Sequence, residues 1–187
     1  MSKDHEIIIA GFGGQGVLFV GLVLAHAGMT AGRNVAWIPS YGPEMRGGTA
    51  NCTVIISEEE IGSPIVSRPS AAIVMNEPSL AKYAPMVKPG GILVVNSSLV
   101  KTRVERTDIR VLEIPANEVA FELGNDRIAN MVALGALLAA TEALPMDVVE
   151  AALPETLGPG KARFVAPNRE ALRRGAALVT AHPVTLP

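Results

Sequence analysis

A chain of 187 residues, 49% of them hydrophobic, fits one domain that buries roughly 70% of its unfolded surface in a single core. Its formal net charge of -2 and pI near 5.9 give no field for collecting phosphate backbones, and no basic stripe stands out, which argues against nucleic acid as a partner. A lone cysteine, Cys52, excludes an internal disulfide and any thiolate-only iron–sulfur or zinc site built by this chain, so a reducing, cytoplasmic location is expected.

In chain order, "MSKDHEIIIAG" reaches its apolar run without the basic start and long greasy core of a signal peptide. "EIIIAG" is too short and too β-branched for a helix and reads as a first, centrally buried strand. A helix is expected from Gly16 or Val17 to about Ala31, ended by Gly32. "NVAWIP", "NCTVIIS", "SAAIVMN", "GILVVNSS" and "IRVLEIP" supply strands two to six, and Pro78 is placed to open a helix between the fourth and fifth. Beyond about residue 116 the pattern is helical: "ANEVAFELG", a long helix from Asp126 to Leu144, "MDVVEAALPETL" and "NREALRRGAALVTAH". The long helix contains Asn130, Thr141 and Glu142, short of about 18 clean apolar residues for a membrane span, and reads as buried instead. The expected fold is α/β: a single Rossmann-like domain over residues 1–187, with a mostly parallel sheet, helices on both faces and a helical C-terminal part.

"GFGGQG" places Gly11, Gly13 and Gly16 in the dinucleotide-binding spacing between a strand and a helix, with Gly14 and Gln15 between them. Such glycines let the turn be tight and let a bound group approach backbone amides at a positive helix start. An acidic residue about 20 positions on, needed to hold a nicotinamide ribose, is missing from "VAWIPSY". Three readings stay open: a nucleotide site, a tight strand-to-helix turn, or a surface that presents Gln15 to a partner.

The loop "SYGPEMRGG", residues 40–48, should leave the second strand beside the glycine loop, on the rim where open α/β sheets bind ligands. Arg46 is a fixed cationic fork suited to carboxylate or phosphate, Glu44 can orient it, and Gly47 and Gly48 permit close backbone approach. Tyr41 offers a ring for stacking or for packing the loop.

"GFGGQG", "SYGPEMRGG", "PGGILVVNSS" and "GNDRIANMVALGA", in this order, resemble the gamma subunit of the 2-oxoacid:ferredoxin oxidoreductases, the pyruvate, ketoisovalerate and 2-oxoglutarate family, from about Ile7 to about Leu144. The loop "SYGPEMRGG" is more similar to the ketoisovalerate and 2-oxoglutarate branches than to the indolepyruvate branch. The resemblance implies a complex that oxidatively decarboxylates a 2-oxoacid to its coenzyme A thioester, using thiamine diphosphate, Mg and iron–sulfur clusters held on other chains. It implies alpha, beta and ferredoxin-like delta subunits and ferredoxin as partners, with no cofactor bound by this chain alone and no turnover by the isolated chain. The 40–48 loop then forms a wall of the coenzyme A channel or a subunit contact near it, unless Glu44 and Arg46 are a buried pair that anchors the loop within this chain or a free surface pair. A stand-alone nucleotide-binding Rossmann dehydrogenase is the alternative, and homodimers of the isolated chain through surfaces meant for partners are conceivable.

Among the remaining polar residues, Asn96, with Ser97 and Ser98, ends the fifth strand at the same rim, to bind a ligand or to cap the next turn. In "GNDRIAN", Asn125 or Asp126 can cap the long helix, while Arg127 and Asn130, three apart, share a face that suits a polar interface. His5, His26 and His182 have no metal-site spacing, and Cys52 reads as a small buried hydrophobe rather than a nucleophile.

Overall fold

Strand β1, His5–Phe12, grows from the β-branched run and lies in the middle of a six-stranded sheet of order β2-β3-β1-β4-β5-β6. The computed structural model describes residues 4–41 and 48–181, with Tyr41 described by its backbone alone. The remaining strands are β2 Asn34–Tyr41, β3 Thr49–Ser57, β4 Ala71–Val74, β5 Ile92–Asn96 and β6 Arg110–Ile114. β1, β4, β5 and β6 run parallel, whereas β3 is antiparallel to both β1 and β2. Two antiparallel steps bring β2 back to the direction of β1, so both strands end on one rim.

Alternation along β1 divides the interior into two layers. Ile7 and Ile9 face the larger core, formed with α1 (Val17–Thr30), α3 (Ala116–Glu122), α4 (Ala129–Thr141), α5 (Met146–Leu157) and α6 (Val165–Ala181). Ile8 and Ala10 face the smaller one, closed by Leu80 and Tyr83 of α2 (Glu77–Tyr83) and by Val100 and Ile109 of the connection from β5 to β6. Helices therefore cover both faces, as the alternating pattern implies. α4 is buried along nearly its whole length because it is sandwiched between the sheet and α6. That approach requires Gly135 and Gly175: a Cβ on either would meet a backbone carbonyl oxygen of the facing helix, Leu172 or Val132, at 1.9 Å.

One helix differs from the sequence reading, and another keeps to it through a proline. The expected long helix 126–144 is a 3-10 turn at Asp126–Ile128 followed by α4, which stops where Glu142 takes φ 53 and Pro145 forbids continuation. α5, by contrast, runs through Pro154, which has no N–H for the carbonyl of Glu150. The Arg169 guanidinium of α6 donates to that orphaned oxygen at 3.3 and 3.4 Å, and Arg173 grips the Glu150 carboxylate with two bonds of 2.8 and 2.7 Å.

Candidate functional site

The rim at the carboxyl ends of β1, β2 and β4 is held by backbone pairing: Gly11 lies opposite Ala50, Phe12 opposite Thr49, and Tyr41 opposite Ala50 on the other side. The Gly13 amide donates to the Gly48 carbonyl at 2.9 Å, so the glycine loop touches the end of the 40–48 loop. Tyr41 reaches this rim by its backbone, while Glu44, Arg46 and Gly47 lie outside the described residues.

Connections leaving β1 and β4 diverge here, one into α1 on the larger-core face and one into α2 on the other face, which makes a switch-point crevice. Gln15 bridges it. Its Oε1 accepts from the Phe12 amide at 2.6 Å and from Asn76 Nδ2 at 3.4 Å, while its Nε2 donates to the Met75 carbonyl at 3.2 Å. A Cβ on Gly11 would meet Gln15 Oε1 at 2.6 Å, so that glycine makes room for the carboxamide. Asn76 in turn caps α2 by accepting from Ser79 N at 2.9 Å.

Gly16 sits at φ 72 and opens α1, which has neither a side-chain cap nor an acidic residue in its first turn. Asn130, 5% exposed, donates to the Gly16 carbonyl at 3.2 Å, and a Cβ on Gly16 would lie 2.4 Å from Asn130 Nδ2. The two ends of a 114-residue separation thus meet behind the loop. Gly14, at φ 98, has open space where its Cβ would stand.

Asn96, fully buried, donates to Asn117 Oδ1 at 2.8 Å and leaves its own Oδ1 without a hydrogen bond. Capping falls to Ser98, whose hydroxyl accepts from the Asn117 and Glu118 amides at the start of α3 and donates to Glu118 Oε2. Arg127 and Asn130 part company: Arg127 is exposed, whereas Asn130 faces the glycine loop. Asn125 caps the 3-10 turn through a 3.1 Å bond from Arg127 N. Asn76 and Asn117 escaped the sequence reading. "NEP" does signal the α2 start, but a contact with Gln15 across 61 positions leaves no local trace.

Around the glycine loop the side-chain contacts are carboxamides paired to one another and to backbone, while the charged groups of the rim, Glu77, Lys101 and Glu118, stand at the starts of α2 and α3 and are bonded locally. Cys52 is no ligand for a cluster: burial pushes its thiol up to about 12, outweighing the Trp37 indole and the Gly21 amide, which favour the thiolate, and its sulfur donates to the Val17 carbonyl. Among the described residues no three His, Cys, Asp or Glu side chains gather to hold a metal ion, and no helix is long and apolar enough to cross a membrane.

Fold and rim together define a Rossmann-like α/β domain whose switch-point crevice is bridged by its own Gln15 carboxamide and whose glycine loop is braced by Gly48. The chain belongs to the pyruvate ferredoxin/flavodoxin oxidoreductase family, whose model matches residues 6–178. It is 41% identical over 174 residues to ketoisovalerate oxidoreductase subunit VorA of Methanothermobacter thermautotrophicus, covering 92% of this chain and 36% of that one. It is 39% identical over 162 residues to 2-oxoglutarate synthase subunit KorC of Methanothermobacter marburgensis, covering 83% of this chain and 87% of the relative. Its fold matches the keto/oxoacid ferredoxin oxidoreductase gamma subunit of Geobacter sulfurreducens with TM-score 0.83 at 29% identity, over 96% of this chain and 98% of the other. It also matches 2-oxoglutarate:ferredoxin oxidoreductase of Magnetococcus marinus, solved with 2-oxoglutarate, coenzyme A and succinyl-CoA, with TM-score 0.87 at 27% identity, over 99% of this chain and 32% of that one. The chain thus spans only about a third of the VorA subunits and of the Magnetococcus chain.

Proposed function

We propose that this chain is the gamma-type subunit of a ferredoxin-dependent 2-oxoacid oxidoreductase, acting on the oxo group of its donor and forming the acyl thioester of coenzyme A as part of a larger assembly. The observation that carries this reading is the end-to-end match to the Geobacter gamma subunit, a separate chain of the same extent, within a shared family. Thiamine diphosphate with its Mg ion, and the iron–sulfur clusters, belong to the alpha, beta and ferredoxin-like delta chains. The residues described here do not suit those groups: the one cysteine is buried and held as a thiol, and the rim carboxylates Glu77 and Glu118 are bonded to backbone amides and to Ser98 rather than gathered for a metal.

Coenzyme A fits better. Its phosphates and pantetheine amides need a cation and backbone groups, and the segment that carries Glu44, Arg46 and Gly47 in sequence is anchored at both ends, Tyr41 and Gly48, on the rim that Gln15 and Asn130 brace. The gamma chain contributes binding and orientation there, and no proton transfer.

The stand-alone dehydrogenase reading finds no support. The acidic residue that would hold a nicotinamide ribose is missing, and two amides of the glycine loop are already used, Phe12 by Gln15 and Gly13 by Gly48.

The test is purification of the complex through a tag on this chain, followed by assay of coenzyme A-dependent reduction of ferredoxin or a viologen by a panel of 2-oxoacids. Activity is expected in the complex and none in the isolated chain. Arg46→Ala should raise the KM for coenzyme A about tenfold or more, the loss of a charge-assisted contact of roughly 1.5–3 kcal/mol, with the 2-oxoacid KM unchanged. Unchanged coenzyme A kinetics and unchanged subunit retention would remove Arg46 from both roles.

A further inference from the structure

The two edges of the sheet are finished differently. β2 carries Pro39, which breaks its row of donors, as edge strands commonly do to avoid pairing. β6, Arg110–Ile114, has neither proline nor lysine, and lies at the floor of a groove of about 640 Å³. One wall is Val104 and Ile109 from the connection before β6; the other is Leu178 and Val179 near the end of α6.

Parallel pairing fixes which backbone groups of β6 remain open. Arg110 N donates to the Gly91 carbonyl and Ser97 N donates to the Ile114 carbonyl, so residues 110, 112 and 114 bond inward to β5. Val111 and Glu113 therefore turn their N–H and C=O groups outward into the groove. Two donors and two acceptors, recessed between apolar walls, are complementary to an extended backbone.

Charge narrows the occupant. Arg106 is committed to Asp108 and to the carbonyls of Ala84 and Val87, whereas Arg103, which lines the same groove, makes no hydrogen bond or ion pair among the described residues. Glu113 lines the groove with the opposite sign. The matching strand carries an acidic residue beside Arg103 and a basic one beside Glu113, with apolar residues between.

Relatives indicate where such a strand comes from. In VorA and in the Magnetococcus chain this domain is about a third of one continuous polypeptide, so the other two-thirds is tethered to it. Where the domain is a separate chain, surface contacts alone must hold the equivalent partner.

Resting on the gamma-subunit reading, we infer that the β6 edge receives an extended segment of the larger partner chain, corresponding to the remainder of VorA, as a seventh strand of the sheet. Hydrogen–deuterium exchange of the isolated chain and of the tagged, co-purified complex tests this. The peptide spanning residues 110–114 holds the outward amides of Val111 and Glu113, whose exchange should be at least tenfold slower in the complex. Leu178→Asp and Arg103→Glu, each checked for an unchanged melting temperature as an isolated chain, should lower partner retention at least tenfold, and Arg103→Lys should restore most of it.

Partners that co-purify while the 110–114 peptide exchanges as in the isolated chain would overturn this inference and leave the gamma-subunit reading intact. Failure of any partner to co-purify would overturn both. Protection that appears in the isolated chain with rising concentration and a dimer mass would assign the groove to a second copy instead.

Discussion

Cys52 shows how one residue's surroundings decide its chemistry. Gly21 exists partly to admit it: a Cβ there would meet the Cys52 sulfur at 2.4 Å. Burial holds the thiol protonated up to about 12, so native protein at pH 8 should resist alkylation at this position and react only as it unfolds, which mass spectrometry of iodoacetamide adducts would show. The sign of the linked stability follows. A folded-state value above the unfolded one adds stability that is fully present below the ordinary thiol range and is lost as pH rises through it toward about 12. Denaturant midpoints measured from pH 8 upward should fall more steeply for the wild type than for Cys52→Ala. Equal slopes would mean that the sulfur is hydrated. Gly16 is governed by sterics instead, at φ 72 with Asn130 against its α-carbon. Gly16→Ala should cost about 1–2 kcal/mol for the left-handed backbone alone, with more from the clash, while Asn130→Ala relieves the clash and makes the second change cheaper. Additive losses in urea unfolding would sink that coupling.

At the scale of elements, α5 and α6 depend on a repair. Pro154 strips the Glu150 carbonyl of its helical partner, and Arg169 replaces it from the neighbouring helix. Pro154→Ala should restore the internal bond, making Arg169 less needed. In a double-mutant cycle, Arg169→Met should destabilise the wild type more than the Pro154→Ala background by about 0.5–1.5 kcal/mol, the range of a single net hydrogen bond. A coupling of zero would show that water serves that carbonyl equally well. Period and punctuation made all six strands and their helices readable: β-branched runs for strands, Gly32 and Pro78 for helix ends. The break at Glu142 was less readable, because Thr141 and the Ala143 amide satisfy each other locally and let a residue other than glycine take the left-handed turn. The glycine loop and the shared rim of β1 and β2 could also be read, because a strand-helix-strand connection returns the second strand in the direction of the first, but the antiparallel β3 lying between them could not, since its apolar run carries no mark of direction. The role of Gln15 could not: its partners Met75 and Asn76 lie 60 and 61 positions away, and nothing in "GFGGQG" announces them.

For the whole molecule, the consequence of that carboxamide bridge is a Rossmann-like sheet whose usual ligand crevice is spanned by its own side chain. A dinucleotide would have to displace Gln15 from the Phe12 amide and separate the connections that follow β1 and β4, losing the bonds to Met75 and Asn76 together. Ligand binding at 100 times Kd adds about 2.7 kcal/mol to native stability. For a domain of this size each kcal/mol moves the melting temperature by roughly 2–4 °C, so a genuine dinucleotide site should show itself as a rise of roughly 5–10 °C. Melting the isolated chain with saturating NAD, NADP or FAD is therefore expected to leave Tm unmoved. Gln15→Gly frees the Phe12 amide but also unties the two loops, and should lower Tm without conferring a dinucleotide response. On the proposed reading, in which this rim is one wall of a path completed by partner chains, coenzyme A should stabilise the assembled complex and not this chain by itself. A saturable rise with a dinucleotide on the wild-type chain would mean that the bridge opens readily, and the crevice would then have to be read as a binding site after all.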